Sequence, residues 1–263
     1  MTRMRAFTVI ELLVVISTIA VALAVLVPAL HQTRAEDERA VCLGNHRQLT
    51  FAWLSYADDF DGEIVNGMGG VDREREPAWV GKCWASDYAS SGQLPQARQV
   101  LAIKHGALYP YLNEMGVYRC PTAYRGQMLT YAIMDGMNGA PRGGTQKPGV
   151  WVTNRYDIPE PAQRDVFIDE GWVTPGSFAV YYLREQWGDH PPVQHSDGTT
   201  LSFADGHADH WQWRGHETAV LGRQAAYGQE VANRVPETIE GYDDLHQLQR
   251  ATWGGLGYEP TEF

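Results

Sequence analysis

Histidine and aspartate side chains are concentrated between residues 193 and 213, and they are the groups in this sequence best suited to metal binding or acid–base catalysis. Imidazole nitrogen and carboxylate oxygen atoms ligate metal ions and transfer protons. Two Asp-Gly pairs, at 197–198 and 205–206, lie among alternating residues and predict a β-meander. The candidate ligands are His195, Asp197, Asp205, His207, Asp209 and His210.

The predicted geometry of this meander argues against a single site. If Asp197-Gly198 forms a two-residue turn, His195 pairs with Thr200. Asp205 then lies about 17 Å further along the strand, at about 3.4 Å per residue. The pattern favours turn-stabilising hydrogen bonds over metal ligation. No serine elbow, phosphate loop or paired acid–base motif occurs elsewhere, so we do not expect an enzyme.

A second acidic group follows a predicted helix end. Ca²⁺ takes six to eight oxygen ligands from flexible loops, and three Asp around Gly62 superficially resemble such a loop. The pattern lacks a Glu at the spacing that an EF-hand requires, so a solvated turn is favoured, with calcium as the alternative. We expect no other cofactor. The residues of this acidic group are Asp58, Asp59, Asp61 and Glu63.

The chain has a long apolar stretch near its amino terminus, before both groups of candidate ligands. It runs from Phe7 to Leu30, which is 24 residues (30 − 7 + 1), and Glu11 is its one charged residue. An α-helix needs roughly 20 apolar residues to cross a bilayer. Arg3 and Arg5 precede it, and basic flanks normally stay in the cytoplasm. The stretch therefore predicts a membrane span that directs the rest of the chain outward.

The start of this span resembles the type IV prepilin cleavage and methylation motif. The matching run is Arg5-Ala6-Phe7-Thr8-Val9-Ile10-Glu11-Leu12. The resemblance implies that a prepilin peptidase cuts between Ala6 and Phe7, that Phe7 is methylated and that Glu11 helps assembly. Ala6 stands where the family usually has Gly. Pro28 is residue 22 of the cleaved chain (28 − 6), where many pilins carry a helix-kinking Pro. The competing interpretation is an uncleaved single-span anchor.

A second resemblance lies in the meander. His195, nine residues and then Asp205-Gly206 resemble the H-X9-DG domain of prepilin-like proteins in planctomycetes and related bacteria. The resemblance extends to residues 42–56, to Cys120-Pro121 and to residues 243–250. It implies a class of protein, since the family has no defined biochemical activity.

The predicted fold is α+β and pilin-like. Residues 1–6 form the leader, 7–30 the transmembrane and assembly half of a long helix, and 31–58 its amphipathic half, which packs on an antiparallel sheet. Residues 59–263 form a loop-rich globular head with the meander near 193–213. At 1.5 Å per residue, a straight helix to Asp58 would span roughly 78 Å.

These features predict a structural subunit of a pilus-like or pseudopilus filament. The expected partners are further copies of the chain, prepilin peptidase, the inner-membrane assembly machinery and, before assembly, the membrane itself. The formal net charge is −11, and no run of Lys and Arg follows the span, which argues against nucleic-acid binding. The expected location is the inner membrane and then the cell surface. The alternative is a minor tip subunit whose aromatic head binds a secreted substrate or glycan.

The three cysteines are Cys42, Cys83 and Cys120. An exported chain meets an oxidising compartment, so one disulfide and one free thiol are expected. Cys83 and Cys120 lie in segments of turn character, whereas Cys42 lies on the long helix. We therefore favour a Cys83–Cys120 disulfide, while pairings through Cys42 would tie the helix to the head.

Overall fold

The protein has an α+β fold that combines one long amino-terminal helix with an antiparallel sheet. The computed structural model describes residues 8–74, 76–85, 92–171, 173–226 and 233–261. The predicted α+β class, with a long amino-terminal helix and an antiparallel sheet, is confirmed. The elements in chain order are α1 (Val9–Asp59), α2 (Gln96–His105), α3 (Tyr109–Leu112), β1 (Tyr131–Ile133), β2 (Asp165–Asp169), β3 (Gly198–Phe203), β4 (Ala208–Gln212), α4 (His216–Ala226) and α5 (Ile239–Trp253).

Helix α1 has two halves with different surroundings. Every residue from Thr8 to Asp37 whose burial is described is exposed, whereas from Cys42 onward one face is buried against the head. The helix begins in a capping box between Thr8 and Glu11, which satisfies backbone N–H groups of its first turn. It ends at Asp59, one residue beyond the predicted end.

The sheet has the strand order β1-β2-β3-β4, and all neighbours are antiparallel. Its two faces are covered by different helices. Phe167 packs in a core cluster with Trp53 of α1, while the next residue, Ile168, packs in a second cluster with Leu248 of α5. Because successive side chains of a strand point to opposite faces, β2 and β3 are buried along their whole length.

The β3–β4 hairpin turns at Asp205-Gly206, and Gly206 has the positive φ of +98° that such a tight turn requires. Thr200 pairs with His210. The predicted turn at Asp197-Gly198 and the pairing of His195 with Thr200 are therefore wrong. The preceding segment cannot extend into a strand, because it carries two prolines without N–H groups at 191–192 and left-handed backbone at Ser196 and Asp197.

Candidate functional site

Four chemically reactive side chains meet beneath α1, at the face of the sheet that this helix covers. One ligand atom from each residue lies within 4.8 Å of all the others, and all four residues are buried. We call this group the buried cluster. It consists of Cys42, Cys120, Asp169 and His195.

Each member of the buried cluster is held by a different part of the fold. Cys42 lies on α1, where the buried face of the helix begins, and Asp169 is the last residue of β2. Cys120 follows a 3-10 helix, and its backbone N–H donates to Thr130 Oγ1 at 2.7 Å. His195 precedes β3. Docking of the helix on the sheet therefore brings the cluster together.

The distances within the buried cluster are short and converge on a common centre. Cys120 Sγ lies 3.1 Å from His195 Nε2, and Cys42 Sγ lies 3.3 Å from Asp169 Oδ2. The same nitrogen of His195 is 3.6 Å from the same oxygen of Asp169. One nitrogen thus faces a thiol and a carboxylate at once.

Hydroxyl groups surround the two sulfur atoms. Tyr131 OH and Thr200 Oγ1 lie 3.2 and 3.0 Å from Cys42 Sγ. Asn45 Nδ2 donates to Tyr131 OH at 3.3 Å, and either Tyr131 OH or Cys42 Sγ can be the donor of the contact between them. Thr122 Oγ1 lies 2.9 Å from Cys120 Sγ. Both sulfur atoms therefore lie within hydrogen-bond distance of hydroxyl groups as well as of other members of the buried cluster.

The electrostatics of the two thiols differ. Burial raises the pKa of Cys42, whereas hydrogen bonding with Cys42 lowers the pKa of Cys120. Burial opposes protonation of His195, but its hydrogen bonds to Asp169 and Cys120 outweigh that effect and raise the pKa of His195 to about 9.

Two further polar groups near the buried cluster lack hydrogen-bond partners among the described residues. They are Asp169 Oδ1 and both ring nitrogens of His46. His46 lies one helical turn after Cys42, and its ring packs edge-on against Tyr131 with centroids 4.6 Å apart. Burial lowers the pKa of His46 to about 4, so this imidazole is neutral.

The residues of the His-X9-Asp-Gly motif have two different roles. His195 belongs to the buried cluster, whereas Asp205 and Gly206 form the β3–β4 turn. His207 Nδ1 and Asp205 Oδ1 lie 2.6 Å apart, and the His207 N–H also donates to that oxygen.

Comparisons with protein-family models, curated proteins and solved structures found no match for this chain. The role of the buried cluster must therefore be argued from its geometry.

Sequence reasoning missed Cys42 and Asp169 as partners of His195. The members of the buried cluster are separated by 78, 49 and 26 residues (120 − 42, 169 − 120 and 195 − 169). Metal sites that can be recognised from sequence place pairs of ligands two to five residues apart. No local spacing marks this group, and the available signal was the family resemblance, which included Cys42, Cys120 and His195 but not Asp169.

The predicted Cys83–Cys120 disulfide is wrong, because all three cysteines are free thiols. Cys120 lies beneath α1 beside Cys42. Cys83 instead packs against α2, with Sγ 3.9 Å from the carbonyl oxygen of Gln99. Burial raises the pKa of Cys83 to about 12, as expected of an inert core thiol.

The predicted processing site, Ala6 and Phe7, lies outside the described residues. Glu11 is described and exposed, and its carboxylate accepts hydrogen bonds from the backbone N–H and the hydroxyl of Thr8, both at 2.8 Å. Helix α1 continues through Pro28, whose side chain is outside the description. By length and composition, α1 can cross a membrane.

The acidic group after α1 does not gather around a common centre. Asp58 accepts a hydrogen bond from Arg155, and Tyr111 OH donates to Asp59 Oδ2 at 2.9 Å. Asp61 adopts the left-handed backbone of a turn, with φ of +52°. In the described part of the chain, no cluster of converging ligand atoms includes Asp58, Asp59, Asp61 or Glu63.

Among the described residues of the head, most aromatic side chains are buried or half-buried. Trp79 and Trp84 are buried, as are Tyr118 and Tyr131, while Tyr156 is 73% exposed. Trp79 stacks on Tyr118 with ring centroids 6.2 Å apart. An aromatic platform for glycans needs several exposed rings on one surface. The packing therefore favours a core role for most of these residues.

Proposed function

We propose that this protein is a pilin-like filament subunit that is held in a membrane, and later polymerised, through the first half of α1. The observation that carries the proposal is the contrast between the two halves of this helix. Val9 and Leu30 are 74% and 67% exposed and lie at the two ends of a largely apolar stretch, whereas Cys42 is fully buried. Exposed apolar surface of this extent needs a lipid or protein environment.

The position of Glu11 supports polymerisation rather than simple anchoring. It is the one charged residue between Val9 and Leu30. A carboxylate in hydrocarbon is costly unless it is paired. Thr8 offers it two hydrogen bonds but no charge. The new α-amino group at Phe7 of a neighbouring subunit would supply that charge after cleavage and set the axial register between subunits.

The second half of α1 carries the head, which would form the exterior of the filament. Trp53 and Leu49 anchor the helix in the core that also contains Phe167 of β2. The head is therefore rigidly joined to the helix that would line the filament. Packing many such helices side by side buries their apolar halves and displays the heads outward.

Co-expression with a prepilin peptidase tests this proposal. We expect the intact mass of the processed chain to show loss of residues 1–6 and methylation of Phe7, and we expect sheared cell-surface fractions to contain filaments of this subunit. A catalytically inactive peptidase is the matched control and should leave Met1 in place. Mature protein that retains Met1 and never polymerises would contradict the proposal and favour the uncleaved anchor.

A further inference from the structure

The buried cluster presents four ligand atoms to one point, and three kinds of chemistry use such atoms. A cysteine, a histidine and an aspartate form nucleophilic relays, two cysteines form disulfides, and all four groups ligate transition metals. The structure distinguishes these uses through three features: the identity of the facing atoms, the burial of the residues and the number of groups that each use would occupy.

A nucleophilic relay does not fit the geometry. In such relays the histidine contacts the nucleophile through one ring nitrogen and the carboxylate through the other. Here Nε2 of His195 faces both Cys120 Sγ, at 3.1 Å, and Asp169 Oδ2, at 3.6 Å. Cys120 and Asp169 are also fully buried, so no substrate reaches the sulfur.

A disulfide would use only half of the buried cluster. Joining Cys42 to Cys120 consumes the two sulfur atoms and removes the thiol that donates to Asp169 Oδ2, while Oδ1 of the same carboxylate already has no partner among the described residues. An unsatisfied carboxylate oxygen in the interior is destabilising. The hydroxyls of Tyr131 and Thr200 would also lose the Cys42 thiol as a hydrogen-bond partner.

A tetrahedral metal ion accounts for all four groups. Zinc binds sulfur at about 2.3 Å and nitrogen or oxygen at about 2.0–2.2 Å, so its ligand atoms lie about 3.4–3.8 Å from one another. The three described separations are 3.1, 3.3 and 3.6 Å, and every remaining pair is within 4.8 Å. The three described separations need changes of a few tenths of an ångström, and a pair at the 4.8 Å limit would close by about 1 Å, which is within the range of side-chain adjustment.

We propose that the buried cluster binds one zinc-type divalent cation through its two sulfur atoms, its imidazole nitrogen and its carboxylate oxygen. The mixed donor set selects this class, because thiolate with imidazole suits zinc rather than calcium or magnesium. Two thiolates and one carboxylate carry three negative charges, so the ion leaves one net negative charge. The hydroxyls of Tyr131, Thr200 and Thr122 lie at hydrogen-bond distance from the sulfur atoms and offset that charge.

The site would be structural, since no face of it is open to solvent. Its ligands come from α1, from β2 and from the two segments around Cys120 and His195. The ion would therefore hold α1 against the sheet and fix the angle between α1 and the head. Closed four-ligand sites contribute directly to folding stability in other proteins.

Metal analysis of the full chain, purified in detergent without added metal, tests the proposal. We expect one zinc ion per chain in the wild type and in Cys83→Ser, which removes the cysteine outside the cluster. Cys42→Ser and Cys120→Ser should each lose the ion. Wild-type protein that has intact thiols and still contains no zinc after incubation with zinc salt would overturn the proposal.

Two measurements on the wild type avoid dependence on variants that fail to fold. Cobalt substitution should give the intense visible bands of tetrahedral Co²⁺ and a thiolate-to-cobalt charge-transfer band in the near ultraviolet, and the absence of both would refute the site. Peptide mapping under non-reducing conditions should show Cys42 and Cys120 unlinked. A linked peptide containing both would show that a disulfide, and not a metal ion, occupies the cluster.

Discussion

The guanidinium of Arg164 donates a hydrogen bond to the backbone carbonyl oxygen of Thr252, 88 residues away, at 2.8 Å. Arg164 is buried, and its two terminal nitrogens also donate to the carbonyl oxygens of Gly149 and Val150, while Nε has no partner among the described residues. Thr252 lies in the last turn of α5, where carbonyl groups lack partners within the helix. One side chain thus joins the end of α5 to a loop next to the sheet.

Arg164→Lys should therefore destabilise the head although it preserves the charge. A lysine lacks the planar fork that reaches several carbonyl oxygens, and each buried group left unsatisfied costs about 1–3 kcal/mol. We expect the free energy of unfolding to fall by roughly 2–4 kcal/mol, measured by urea titration of tryptophan fluorescence. Arg155→Lys is the control. Arg155 pairs with Asp58, whose side chain is 62% exposed. The free energy of unfolding of Arg155→Lys should therefore fall by less than about 1 kcal/mol.

Asp165 should make the stability of the head depend on pH. Burial raises its pKa to about 8, although the charge of Arg164 opposes this shift. Oδ2 accepts one hydrogen bond, from Thr252 Oγ1, and Oδ1 has no partner. An unfolded aspartate titrates near pH 4, so the folded state binds the proton more tightly. The stability contributed by protonated Asp165 is complete below about pH 4 and is lost as the pH rises through 8.

Asp165→Asn removes this titration and tests its sign. Between pH 4 and pH 8 the wild type should lose on the order of 1 kcal/mol of this contribution per pH unit, and the variant should not. The difference in free energy of unfolding should therefore shift in favour of the variant as pH rises, as measured by denaturant titration at several pH values. Asp157→Asn makes the same change at an exposed residue and should follow the wild-type profile. Parallel profiles for all three proteins would exclude the assignment.

Gly44→Ala should stabilise the protein. Gly44 lies inside α1, and a Cβ atom added there meets no other atom within 4 Å. Alanine favours the helix by about 0.5–1 kcal/mol over glycine at such positions. Thermal unfolding should therefore shift upward. Gly136→Ala provides the contrast, because its added Cβ would lie 2.1 Å from the Thr252 carbonyl oxygen and should destabilise by roughly 1–3 kcal/mol.

Glu11→Gln separates helix formation from assembly. The glutamine carbonyl can still accept the hydrogen bonds that Thr8 donates, so the start of α1 and membrane insertion should be preserved. The negative charge that would pair with a neighbouring α-amino group is gone, so filament yield in sheared fractions should fall several-fold. Glu36→Gln makes the same change outside the apolar stretch and should assemble normally. Equal filament yields from both variants would remove the charge-pair argument.

The sequence by itself determined those features that depend on neighbours in the chain. Hydropathy and length predicted the long amino-terminal helix and its apolar half, and the turn residues at 60–62 predicted where it ends within one residue. Asp205-Gly206 predicted a tight turn, because only local backbone geometry decides that preference. The α+β class followed from these patterns.

The tertiary structure decided everything that depends on docking α1 against the sheet. Cys42, Cys120, Asp169 and His195 belong to four segments with no shared periodicity, and only the helix–sheet contact brings them within 4.8 Å. The same contact places Cys120 away from Cys83. It also buries His195 in the core, although the local sequence predicted that this residue lies in a strand. Long-range packing chooses such partners by shape and burial, which leave no spacing rule in the sequence.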